Sequence, residues 1–252
     1  MRVSGNELLR TCQRAFEGFG LPAGVDRDAA DMVMRLQLLG LPGTRFACAH
    51  LDDLRAEHGE APGFAYHRSV PELDAHGRCP LSIGAAPLDL AYARAMDLHA
   101  TATARVVALR DPLLMVGAAV AYGAPDHSFL LSWTERGEAY DFVVANTGKS
   151  NLFGDPEFWE QSGESPGESC TLTVACIPGE PTDCLGELRL SRGPPRISAE
   201  NFAQREAAAL AHGFEIPDQL WAPLAEAART VLVPASDISR TLGAGAGQTD
   251  ND

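Results

Sequence analysis

The chain has 252 residues, 45% of them hydrophobic and 21% charged, enough apolar material for one substantial buried core. Its formal net charge of −14 excludes nucleic acid and anionic membrane as general partners, because neutralising phosphates takes a basic face. The first ten residues lack the apolar core of a signal peptide, and the longest apolar run, Pro112–Tyr122, is too short to span a bilayer. With six cysteines at 12, 48, 79, 170, 176 and 184 in a chain of this length, reduced thiols and a cytoplasmic location are the expectation.

The first sixty residues read as helices. Ser4 and Glu7 make a capping-box pattern, and Leu8, Leu9, Cys12, Ala15, Phe16 and Phe19 follow on one face until Gly20 and Pro22 stop the run. Asp26 is placed to cap a second helix whose stripe is Ala29, Val33, Leu36 and Leu39. A third is expected over Thr44–His58, burying Ala47, Leu51 and Leu54. Weaker helical signals lie at Pro87–Met96 and Pro112–Tyr122.

After Pro125 the period changes to two. Phe129, Leu131 and Trp133 alternate along one strand, and Tyr140, Phe142 and Val144 along the next, with a turn at Thr134–Glu138 containing Gly137. "TLTVAC" and "ELRLS" read as two further strands, and "NLFGDPEFWE" as loop. Two helices close the chain, one after Ser198 with Phe202, Ala209 and Leu210, the other from Pro217 with Leu220, Trp221, Leu224, Ala228 and Val231. The expected fold is therefore α+β. It comprises an N-terminal helical cluster, a central and mainly antiparallel sheet, two C-terminal helices and an ordered Gly-rich tail. Residues 1–125 form the mainly helical region and 126–252 the sheet, helices and tail, together one compact unit.

Several familiar sites are missing. "ANTGKS" has Val143 where a phosphate loop needs its first glycine, and no strand–helix turn carries G-x-G-x-x-G, so no nucleotide cofactor is expected. Cys170, Cys176 and Cys184 lack the short pairing and histidine company of a zinc site, so no metal is expected.

Two groups of residues remain. Lys149, the only lysine, stands beside Ser150 at a strand end, where its ammonium can hold an anion. His127, next to Asp126, is the best placed single acid–base group. The tail "SRTLGAGAGQTDND" offers Gly243, Gly245 and Gly247 as an anion-binding nest, with Arg240 beside it. Thr249 and Asn251 can bind substrate there, and Asp250 and Asp252 can accept an amine proton. The chemistry these suggest is a cofactor-free lyase or cyclase acting on a small, anion-bearing, amino-acid-like substrate, by elimination or intramolecular displacement. The alternatives are a non-catalytic binding subunit and a redox enzyme. A homo- or hetero-oligomer is expected in each case.

"VPASDISRTLGAGAGQTDND", together with "VSGNELLRTCQRAFEGFGLPAGVDRDAADMVMRLQLLGLPG", resembles a bacterial family of unknown function that ends in a similar tail, with Gln248 departing from the family's usual leucine. The opening is also similar to type-2 malate/lactate dehydrogenases, which begin with a V-S-x-x-E-L helix. That likeness implies an NAD(P)-dependent oxidoreductase. In those enzymes a Gly-x-x-Ser-His-Gly segment follows; here "GLPGTRFACAH" stands in its place.

Overall fold

The computed structural model describes residues 1–56, 63–67, 70–157, 159 and 167–231. Helix α1 (Gly5–Gly18) starts where the sequence places it, with the Ser4 hydroxyl accepting from the Glu7 N–H at 3.2 Å. It buries Leu8, Cys12, Ala15 and Phe16. Helix α2 (Val25–Leu38) begins after Gly24, and Asp26 sits in its first turn, folding back to accept from the Gly24 N–H at 2.7 Å.

The third helix is two. Helix α3 (Gly43–Ala49) ends at His50 and α4 (Leu51–Ala56) restarts beyond it. His50 has φ −102° and ψ 2°, outside the helical basin, in the bridge region where active-site residues often sit.

Strands β2 (Gly63–His67), β3 (Val70–Asp74) and β4 (Ala102–Leu109) then interleave with α5 (Pro80–Ile83) and α6 (Ala86–Leu98). Helix α7 (Leu113–Tyr122) is apolar on all sides because it is enclosed on all sides. It packs on α2 so closely that a Cβ at Gly117 would collide with the Met32 carbonyl.

Strands β5 (His127–Glu135), β6 (Glu138–Val144), β7 (Ser150–Phe153) and β8 (Cys170–Pro178) complete the sheet. Among the described residues it has seven strands in the order β2-β3-β4-β8-β5-β6-β7, antiparallel except for the β3–β4 pair. The register pairs Phe129 with Val144, Leu131 with Phe142 and Trp133 with Tyr140. Both alternating runs therefore share the buried face, joined by Leu172, Val174 and Cys176 of β8.

Among the described residues three helices follow β8. "ELRLS" is not a strand: it lies inside α8 (Thr182–Arg192), where Arg189 and Arg192 sit favourably in the last turn. Helix α9 (Ala199–His212) is capped by Ser198 in a reciprocal box with Asn201. Helix α10 (Asp218–Arg229) packs on α1. "NLF", read as the start of a loop, belongs to the edge strand β7, which is fully buried and bridged through Leu152 to Ile197. The two-residue strands β1 (Arg2–Val3) and β9 (Phe214–Glu215) pair beside α1. The tail after residue 231 lies outside the described residues.

Candidate functional site

The register divides the chemistry of the sheet between its two ends. At one end lie His127, paired with Pro178, and the β6–β7 turn that carries Lys149. The turn is closed by hydrogen bonds from the Gly148 N–H to the Ala145 carbonyl and from the Ala145 N–H to the Lys149 carbonyl, both 2.8 Å. Ser128 ties β5 to this turn, accepting from the Asn146 N–H at 2.9 Å and donating to the Gly179 carbonyl at 2.6 Å. His127 is buried and meets the Tyr92 ring edge-on at 5.0 Å, its Nδ1 without a hydrogen-bond partner. Lys149 is exposed, while Ser150 is buried with its hydroxyl unpartnered. Sequence reading thus found three residues at one end of the sheet. The tail candidates Arg240, Gly243, Gly245, Gly247, Thr249, Asp250, Asn251 and Asp252 all lie outside the described residues.

The other end holds residues that sequence reading missed. Leu109 pairs with Cys170 there, and β5 runs out at Glu135. The main chain leaves β4 through a bulge between Val106 and Leu109, with Ala108 at φ +52° and Asp111 at φ +48°. Two left-handed non-glycine residues within four positions are costly, and such strain is retained where side chains must be aimed. They aim Arg110 and Asp111.

Asp111 is buried, and its Oδ2 lies 2.6 Å from Nε2 of His50, which is fully buried. The Gly167 N–H donates to the same oxygen at 3.0 Å. On its other side, Nδ1 of His50 lies 3.3 Å from Oδ2 of Asp53, and Arg110 grips that oxygen through Nη2 at 2.9 Å. Arg110 is itself anchored by Nε to the Gly77 carbonyl. The side chains of Asp53 and Arg110 are 32% and 25% exposed, so the chain Asp111–His50–Asp53–Arg110 leads from core to solvent. The break between α3 and α4 falls at His50, the residue held between the two carboxylates.

Burial disfavours a charged imidazole at His50, but the hydrogen bond to Asp111, the neighbouring Cys79 and the Asp111 charge outweigh it, and its pKa rises to about 10. His50 is therefore an imidazolium at neutral pH. Glu135 is nearby, since a Cβ on Gly167 would lie 2.7 Å from Oδ1 of Asp111 and 3.1 Å from Oε1 of Glu135. Burial first, then the Asp111 charge, raises the pKa of Glu135, while the Trp133 and Trp159 indoles oppose the shift. Neither indole N–H makes a full hydrogen bond. Trp159 is fully buried, 4.7 Å from Tyr140 and 6.2 Å from Trp133 between ring centres, and walls this end of the core. Burial, then Glu135 and Asp111, pushes the Cys170 thiol up to about 12. Among the described residues no group of three His, Cys, Asp or Glu is placed to hold a metal.

Known structures share the architecture. A dehydrogenase from Sinorhizobium meliloti superposes with a TM-score of 0.61 at 16% identity, over 90% of this chain and 99% of its own. A putative malate/lactate dehydrogenase from E. coli gives 0.64 at 11% over 93% and 96%. The Δ1-piperideine-2-carboxylate reductase from Pseudomonas syringae gives 0.59 at 11% over 90% and 99%. The fold is distantly that of the type-2 malate/lactate dehydrogenases. Residues 3–90 also match a family described as a protein of unknown function, DUF3726. No curated protein sequence matches the chain.

These likenesses correct the chemistry expected from the sequence. A cofactor-free lyase or cyclase working by elimination or ring closure is set aside, because the architecture is one on which dehydrogenases and a reductase are built. No helix among the described residues is long and apolar enough to cross a membrane.

Proposed function

We propose that this protein is a dehydrogenase-like oxidoreductase acting on a small carboxylate, with His50 and Asp111 as its proton-transfer pair. One observation carries the reading. On a dehydrogenase-like fold, a buried imidazole is held 2.6 Å from a buried carboxylate and connected to a part-exposed guanidinium. The similar proteins are named for malate, lactate and piperideine-2-carboxylate, all of which bear a carboxylate.

In this reading Asp53 marks the substrate's place. Its carboxylate oxygen is gripped by Arg110 and faced by His50, as a substrate carboxylate and its adjacent oxygen or nitrogen would be. A substrate that displaces Asp53 would pair with Arg110 and present its C2 heteroatom to Nδ1 of His50. His50 then gives that atom a proton as the carbon is reduced, and Asp111 holds the ring in place and offsets its charge. With its pKa raised to about 10, His50 carries at neutral pH the proton it would donate.

The hydride of this reading would come from a nicotinamide dinucleotide, and neither of two strand-to-helix turns, β4–α7 and β8–α8, furnishes the usual seat for its pyrophosphate. The β4–α7 turn is Arg110, Asp111 and Pro112, and the β8–α8 turn is Gly179, Glu180 and Pro181 with Asp183 in the first helical turn. Proline and carboxylates stand where glycine N–H groups would be needed. Arg240 and Gly243–Gly247 are the sequence's own anion-holding candidates and lie outside the described residues.

The test is to titrate NADH and NADPH calorimetrically, then to follow loss of reduced-cofactor absorbance with a panel of 2-oxo and cyclic 2-imino acids. Turnover lost in His50→Gln, with a raised KM in Arg110→Lys, is the expected result. Absence of binding and turnover with both cofactors across the panel would sink the proposal.

A further inference from the structure

The β1–β9 ribbon, the start of α1, the second half of α2 and the end of α9 surround a cavity of about 670 Å³, within the range of small-molecule sites. Leu9, Met34, Leu38, Leu210 and Phe214 give it a mostly apolar wall. Leu210 is 70% exposed, so the cavity is reached from solvent beside that side chain. No residue of the Asp111–His50–Asp53–Arg110 chain lines it.

Two charged side chains on this wall are unsatisfied. Arg35 of α2 is half-buried, and its Nε is fully enclosed without a hydrogen-bond partner. The guanidinium makes no ion pair among the described residues. An enclosed donor on a charged group is expensive to leave unmade, and in a native structure it calls for a water, an ion or a ligand. Glu206 of α9 is half-buried as well, and its carboxylate makes no hydrogen bond or ion pair among the described residues. Arg35 and Glu206 line the same cavity without pairing with each other. The two helices are tied elsewhere, by Arg205 donating to the Leu39 carbonyl at 3.4 Å. Arg2, also on the wall, is already engaged by Glu215 at 3.1 Å.

The helix ends that open onto the cavity repeat this division of charge. The first turn of α1 brings its positive end there with Gly5 and Asn6, and the last turn of α9 brings its negative end with Ala211 and His212. We propose that the cavity binds a zwitterion with an apolar body, the chemistry of a free α-amino acid with a large apolar side chain. The ligand's carboxylate pairs with Arg35, whose planar fork matches that group, and its ammonium pairs with Glu206. Its side chain lies against the apolar wall. A simple anion would leave Glu206 unpaired and repelled, and a simple amine would do the same at Arg35. This inference stands apart from the redox reading, and either can fail alone.

Calorimetric titration of the full chain with phenylalanine and leucine tests it. Both bind, whereas N-acetylphenylalanine, which lacks the ammonium, and phenethylamine, which lacks the carboxylate, bind more weakly by about tenfold or more. Arg35→Gln and Glu206→Gln each weaken phenylalanine binding by about the same factor. Neither variant shifts the melting temperature, because neither side chain has a partner to lose. Absence of binding by both amino acids overturns the proposal, as does N-acetylphenylalanine binding as well as phenylalanine. An affinity that survives both glutamine variants places the amino acid elsewhere and also overturns it. Loss in Arg35→Gln with none in Glu206→Gln would mean an anion site and would overturn the zwitterion. The analogue series on the wild-type chain decides the matter even if a variant fails to fold.

Discussion

Replacing Asp111 by Asn removes the charge that keeps buried His50 protonated while keeping the shape of the side chain. In the wild type the Asp111 contact is 2.6 Å with both partners buried, and the pKa of His50 stands near 10. Without the carboxylate, the hydrogen bond and charge that chiefly offset burial are gone, and the pKa of His50 falls. Breaking one side of such a pair costs about 3–5 kcal/mol. For a chain of this size each kcal/mol moves the melting temperature by roughly 2–4 °C, so a drop of about 6–20 °C is expected near neutrality. The pH dependence has a definite sign. The folded pKa of His50 lies above its unfolded value of about 6.5, so the pair's contribution is complete below about pH 6.5 and is lost as pH rises through about 10. The gap between wild type and Asp111→Asn should be widest near pH 6 and close toward pH 10. Scanning calorimetry across that range measures it. A variant melting within about 2 °C of wild type at neutral pH, or a gap that does not change with pH, would refute the ion pair.

Four further outcomes follow from particular contacts. Gly117→Val should prevent folding or cost well over about 3 kcal/mol, since even a Cβ there collides with the Met32 backbone; chemical denaturation reads it. Lys149→Ala should leave stability within about 0.5 kcal/mol because its side chain is exposed, and an unchanged affinity for NADPH in calorimetry would end its candidacy as an anion holder. Deleting residues 247–252, which contain no apolar side chain, should leave the melting temperature in place; ligand binding that also survives would remove the tail from the site. Reductive turnover, if His50 is the acid, should fall as pH rises through about 10.

Much of the secondary structure was legible because it is written locally. Ser4, Ser198 and the Phe129–Trp133 alternation each declare an element within a few residues. Elements whose residues mix small, charged and apolar types misled. "ELRLS" alternates like a strand, yet the whole of α8 is needed to see its helical distribution of charge. β7 was invisible because all four of its residues are buried and none alternates. The site was harder still. His50 and Asp111 are 61 residues apart, and nothing near either announces the other. Asp111 looked like an ordinary residue before a proline, and its left-handed backbone has no signature outside glycine and asparagine runs. His127, Lys149 and Ser150 were attractive because they sit at strand ends, and they do share one end of the sheet. The buried proton chemistry collected at the other.

The position of β8 has a consequence for how the protein comes into being. Among the described residues, 170–178 form the last strand of the main sheet to be synthesised, yet they lie between β4 and β5 near its middle. Until they emerge, β4 and β5 each present an unpaired edge, and the two halves of the sheet have nothing to join them. A nascent chain ending at residue 169 would therefore hold its helices against an open sheet, a state that invites pairing with other chains. Folding here is a clasp closed late, and the ribosome must deliver the clasp before the molecule can keep its own edges to itself.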